Sequence, residues 1–143
     1  MAVNAPQSPR LLVNVDVPDL QRAIDFYTAA FQLSVGRRLG QSVVELLGSD
    51  APLYLLEKPS ETLPFADATS TRNYARHWTP VHLDFVVEKL EPALARAVAA
   101  GALVHGAISE HAWGRMVPLA DPFGHGLCLI EFSGRGYDEL LDG

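Results

Sequence analysis

The chain has 143 residues, 48% of them apolar and 20% charged, with a formal net charge of −6 and a pI near 5.2. That length suits one domain with a real core. The acidic balance, with Arg37-Arg38 the only adjacent basic pair, excludes a basic nucleic-acid-binding face, and no apolar run nears the ~20 residues of a membrane span.

Residues up to about Ser8 are small and polar and should form a loose arm. The opening MAVNAPQSPR lacks the charged-then-apolar pattern of a secretion signal, so a cytoplasmic location is expected. From Arg10 to Val17 the pattern alternates, with Leu11, Val13, Val15 and Val17 on one face of a strand and Leu12, Asn14 and Asp16 on the other. Asp19 is placed to cap a helix in which Leu20, Ile24, Tyr27 and Phe31 share a stripe, ending near Gln32. Three strands are expected next, at Leu33 to Leu39, Ser42 to Leu47 and Leu53 to Glu57, with glycine-bearing turns between them. Lys58 to Thr79 shows neither period, and reads as a long linker or a lid.

A second half opens at Pro80 to Leu90. Val81, Leu83, Phe85 and Val87 fall on one face of this strand, and His82, Asp84 and Val86 on the other. Leu90, Ala93, Leu94, Ala97 and Val98 recur at helical spacing, with Pro92 in the first turn and Gly101 just past the end. Strands should follow around Ala102 to Ile108, Arg115 to Leu119 and Gly126 to Phe132, the last two joined by the turn Asp121-Pro122-Phe123-Gly124. An acidic tail, Ser133 to Gly143, closes the chain.

The halves repeat. Val17, Leu20 and Ala23 align with Val87, Leu90 and Ala93 at an offset of 70, and Leu53 to Glu57 align with Leu127 to Glu131 at an offset of 74. The fold class is therefore α+β, with two tandem βαβββ modules at about 10–57 and 80–132 forming a curved mixed sheet. The apolar faces, including Leu11, Val13, Val15, Val81, Leu83 and Phe85, should pack on the helices. The mixed faces, with Leu12, Asn14, Asp16 and Tyr54 from one half and His82, Asp84 and Cys128 from the other, either line a cavity or meet solvent. Glu57 and Glu131 should point away from Tyr54 and Cys128.

Three stretches carry a resemblance: VPDLQRAIDFY (Val17 to Tyr27), HLDFVVEKLEPALARAVAAGA (His82 to Ala102) and WGRMVPLADPFGHGLCLIEF (Trp113 to Phe132). They resemble the vicinal oxygen chelate superfamily of glyoxalase I, bleomycin and fosfomycin resistance proteins and extradiol dioxygenases, in its glyoxalase- and bleomycin-resistance-like branch. The resemblance implies a cavity between the modules and a homodimer. Metal-using members ligate from the first, fourth, fifth and eighth strands, positions that fall here on Leu12, near Tyr54, on His82 and on Cys128. His82 is the only matching ligand, so no cofactor is expected, and a divalent metal would need Asp16, Asp84 or Cys128 as substitutes.

The expected function is binding of a small organic ligand, aromatic or amphipathic, without a metal. Any chemistry falls to His82 as acid or base with Asp84 tuning it. Asn14, Asp16, Tyr54, Trp113, Arg115 and Cys128 are the candidate ligand-binding residues, with the Trp113 indole stacking on the ligand and Arg115 anchoring an anion. Cys128, a lone cysteine, excludes an intrachain disulfide and reads as a small core residue. His125, inside the PFGHG turn, reads as a turn residue; His77 and Trp78, just before the opening strand, are placed to join the loop's closure over the cavity; His105 and His111 show no pattern. The alternative is a divalent-metal lyase, isomerase or dioxygenase with non-standard ligands.

Overall fold

A computed structural model describes residues 8–141. Residues 1–7 of the expected arm and the last two residues of the tail lie outside that range. The first module runs β1 (Val13–Val17), α1 (Leu20–Phe31), β2 (Ser34–Leu39), β3 (Val43–Leu47) and β4 (Leu53–Glu57). The second runs β5 (Leu83–Val86), α2 (Leu90–Ala100), β6 (Leu103–Val104), β7 (Ser109–His111), β8 (Gly114–Ala120) and β9 (Gly126–Phe132). A short 3-10 helix, Gly136–Leu140, occupies the acidic tail.

Hydrogen bonding divides the expected sheet in two. One sheet has the order β1-β4-β3-β2, the other β5-β9-β8-β6 with β7 also on β8. The β1–β4 and β5–β9 pairs are parallel and the rest antiparallel, so each sheet is mixed. Their registers preserve the repeat, since Asn14 pairs with Tyr54 as Asp84 pairs with Cys128.

Pairing also sets the strand lengths. β1 starts at Val13, opposite Leu53, leaving Leu11 and Leu12 outside the ladder and exposed. β5 likewise starts at Leu83, and Val81 is 79% exposed. Leu11 and Val81 thus depart from the expected packing on the helices, whereas Val13, Val15, Leu83, Phe85 and Val87 pack against the core. Of the strand expected at Ala102 to Ile108 only Leu103–Val104 forms, as β6, and the chain leaves the ladder at Gly106 before a separate β7 beyond the expected range. Pro118 of β8 lies there and has no N–H to donate, although its carbonyl accepts from His105 N–H at 2.9 Å.

Each helix starts on a glutamate from the last strand of its module. The Asp19 carboxylate accepts from Arg22 N–H, as expected of a cap. Glu57 accepts from Leu20 N–H at 2.9 Å, and its repeat mate Glu131 accepts from Leu90 N–H at 3.0 Å. Both carboxylates point to the helix face and place negative charge on the positive end of a helix dipole.

The two modules of one chain share a core. α1 and α2 pack on each other, and Phe31 stacks on Phe85 across the boundary with ring centroids 3.9 Å apart. At the other end of the boundary the Tyr27 hydroxyl donates to the buried Asp121 carboxylate at 2.6 Å. Among the described residues no helix is long and apolar enough to cross a membrane.

Candidate functional site

The strand pairing that aligns Asp84 with Cys128 gathers three of the candidate residues. His82 Nε2 lies 3.2 Å from Asp84 Oδ1, and ligand atoms of His82, Asp84 and Cys128 all lie within 4.8 Å of one another. The His82 and Asp84 side chains are 33% and 36% exposed, open enough for a solute to reach both. Cys128 is buried. Burial, then the charge of Asp84 and a hydrogen bond to it, pushes its thiol up to about 11, so a nucleophilic thiolate is disfavoured.

Beside this cluster, a cavity of about 340 Å³ lies between the facing edges of the modules, lined among others by Asn14, Asp16, His77, His82 and His125. That size falls within the range of small-molecule sites. Residues of the 58–79 segment strap it. Arg72 pairs with Asp16 at 2.9 Å, and the His77 N–H donates to the Gly124 carbonyl at 3.0 Å. Trp78 lies beside His82, with ring centroids 4.5 Å apart, and fits only because residue 126 is glycine: a Cβ there would sit 2.0 Å from the indole.

His125 and His77 form a chain that the sequence pattern did not show. His125 Nε2 meets the Asp16 carbonyl at 2.7 Å, His125 Nδ1 meets His77 Nε2 at 3.2 Å, and His77 Nδ1 meets the Ala75 carbonyl at 3.0 Å. Three hydrogen bonds between two carbonyls need three N–H donors. Two neutral imidazoles supply two, so the complete chain requires one added proton. His125 is thus a junction residue joining both modules and the strap, although its place in the PFGHG turn marks it only as a turn residue.

On the first module, Tyr54 is buried and its hydroxyl is committed. It donates to Glu45 at 2.6 Å and accepts from Arg37 at 2.9 Å, while Arg37 also pairs with Glu45 at 2.8 Å. Arg37, with its side chain 67% exposed, is the cation this face offers. The legible signal was Glu45, a lone charge inside the apolar strand VVELL. The Arg37 guanidinium first, then the Tyr54 hydroxyl, hold Glu45 down to about 2, and Arg115 does the same for Glu91. These carboxylates therefore stabilise the fold above their ordinary value near 4.5, and the contribution is lost as pH falls toward 2. Melting temperature should drop across that window, and Tyr54→Phe should move the acid limb to higher pH. An unmoved limb would refute the role given to the Tyr54 hydroxyl.

Other expected residues lie elsewhere. Arg115 faces α2, where it is held by Glu91 and Glu131, and so does not reach the cavity as an anion anchor. Its position on β8 opposite Glu131 fixes that orientation. Trp113 stacks on His111 and packs against Phe132 and Tyr137, forming an aromatic cluster with the tail rather than a lip beside His82. Leu12 is half exposed and off the strand. Asn14 is exposed at the cavity edge, and Asp16 is engaged by Arg72.

The ligand set implied for metal-using relatives does not fit this chain. Leu12 has no donor atom, the Tyr54 hydroxyl is held between Glu45 and Arg37, and the Cys128 thiol is stabilised in its protonated form. His82, Asp84 and Cys128 form a different donor set, near but not equivalent to the family's.

Paired βαβββ modules with a histidine at the start of the fifth strand define a vicinal oxygen chelate protein. The chain belongs to this superfamily, and the family described as "Glyoxalase-like domain" matches residues 12–130. It is 31% identical over 134 residues to uncharacterized protein Mb0911c of Mycobacterium bovis, covering 87% of this chain and 83% of the relative. The fold is similar to the fosfomycin resistance protein FosX from Listeria monocytogenes, with a TM-score of 0.70, 17% identity, and coverage of 95% of this chain and 100% of that one. It is also similar to lactoylglutathione lyase from Agrobacterium tumefaciens, with a TM-score of 0.61, 18% identity, and coverage of 88% and 95%. At those identities the likeness is one of fold.

Proposed function

We propose that this protein binds a small organic molecule, aromatic or amphipathic, in the cavity beside His82 without a metal, as a cytoplasmic homodimer. The observation that carries the reading is the partly exposed His82, with Asp84 beside it, on the border of a cavity of small-molecule size. Asp84 Oδ1 lies 3.2 Å from His82 Nε2, so a carboxylate stands beside the ring that would take or give a proton. A bound ligand with an acidic C–H or O–H would meet a base with a carboxylate beside it. The homodimer rests on the superfamily's habit alone.

A second reading follows from the proximity of the His82, Asp84 and Cys128 donors, which would suit a soft divalent ion if the thiol gave up its proton. Elemental analysis of protein purified without chelator separates the two. Metal well below one equivalent is expected. Stoichiometric metal that vanishes in His82→Ala would overturn the metal-free reading. Thermal-shift screening against aromatic natural products and antibiotics tests the cavity itself: a ligand at 100 times its Kd adds roughly 2.7 kcal/mol. His82→Ala should leave binding of such a ligand within a few-fold but abolish any turnover. Retained turnover would remove His82 from the chemistry.

A further inference from the structure

A larger cavity, of about 710 Å³, opens between the end of α1, the β3–β4 turn and the junction of β5 with α2. The repeat explains why it exists. In one half, Tyr27 of α1 reaches Asp121 beneath the β8–β9 turn, and His125 from that turn meets the Asp16 carbonyl on β1. At the offsets of 70 and 74 that the strand registers preserve, Tyr27 corresponds to Ala97, His125 to Ala51 and Asp16 to Val86. Ala51, which lines the larger cavity, thus stands where the other half has the imidazole of His125. The end that carries Tyr27, Asp16 and His125 holds the smaller cavity of about 340 Å³, and the end with Ala51 the larger one.

The hollow has a defined chemistry. The stacked Phe31 and Phe85 rings, with Leu33 beside them, line it with apolar surface. Val87 N–H donates to Ile130, so the alternation of a parallel ladder turns the main-chain groups of Asp84 and Val86 away from β9, along the free edge of β5. Arg96 also lines the cavity. Its Nε is buried without a hydrogen-bond partner, and the guanidinium joins no ion pair among the described residues. A carboxylate is the group that matches a guanidinium fork, and among the described residues none pairs with this one. The carboxylate-bearing residues Asp50 and Glu88 also line the cavity, which disfavours a ligand with a second negative charge.

We propose that this cavity binds an aromatic or branched monocarboxylate, with the carboxylate on Arg96 and the apolar body against Phe31 and Phe85. The proposal is independent of the reading of the His82 site. Phenylpropionate and its primary amide serve as probes, titrated against the full chain by calorimetry and by NMR. Expected are saturable binding of the acid, shifts at the Arg96 Nε–H and the two phenylalanine rings, and at least roughly tenfold weaker binding of the amide. Arg96→Gln should cost the acid a similar factor without lowering the melting temperature. Ala51→His, which introduces the imidazole that the other half carries, should abolish binding. Equal affinities for acid and amide, an unaffected Arg96→Gln, shifts confined to His82 and Asp84, or no saturation by about 10 mM would each overturn the proposal.

Discussion

Asp121→Ala is expected to lower the stability of the fold by about 3–5 kcal/mol, and the melting temperature by roughly 10 °C. Asp121 is 1% exposed and accepts three hydrogen bonds, from the Tyr27 hydroxyl, the Phe123 N–H and the His125 N–H. Alanine leaves all three donors without an acceptor in a space that water does not reach. The loss also unseats the β8–β9 turn, which brings His125 to the first module and holds the buried Phe123 under Arg22. Burial first, and then Asp121, raises the Tyr27 hydroxyl well above its ordinary value, so it stays protonated in the fold. That contribution is complete below about pH 10 and fades as pH rises past it, because the unfolded chain ionises more readily. Tyr27→Phe removes one of the three donors and should cost about 1–2 kcal/mol. Urea unfolding of both variants decides the point: a loss below about 1 kcal/mol in Asp121→Ala would mean that the turn repacks without its buried acceptor.

Gly114→Ala should cost about 4 kcal/mol, by a different mechanism. Gly114 opens β8 at φ +149°, and an added Cβ would lie 2.1 Å from the Glu131 carbonyl oxygen and 2.9 Å from Phe132 Cα. Those atoms belong to the backbone of the paired strand, so no rotamer change can relieve the clash. The strain falls where Arg115, Glu131 and the start of α2 meet, and α2 should lose part of its N-terminal anchorage. Gly40 supplies the control. It has φ +70°, and an added Cβ there would meet nothing within 4 Å, so Gly40→Ala should cost only about 1 kcal/mol. Near-equal losses at the two positions, measured by chemical denaturation, would show that conformation alone matters and that the contact does not.

Periodicity assigned the faces of the strands well. Val13, Val15 and Phe85 pack on the helices, while Asn14 with Tyr54 and Asp84 with Cys128 sit as neighbours on the other side. It overextended β1 and β5, because alternation continues past the point where a partner strand begins. Trp113 and Arg115 illustrate a second failure. Both adjoin a turn in a promising motif, but a residue's chemistry does not say which side of a sheet edge it will occupy. Arg115 went to the glutamate that caps α2, and Trp113 went to the aromatic tail.

By itself the sequence determined the repeat, the α+β class, the helices with their Asp19 and Gly101 ends, and the placing of His82 beside Asp84. Each follows from interactions between near neighbours or from a period that survives in a linear string. Tertiary structure alone decided which residues close the module boundary. Tyr27 finds Asp121 94 positions away, and Asp16 finds Arg72 across 56. It also decided that the larger cavity lies at the end of that boundary where residue 51 is alanine, since a small side chain leaves open space only when the opposite wall is held by a core built from both modules.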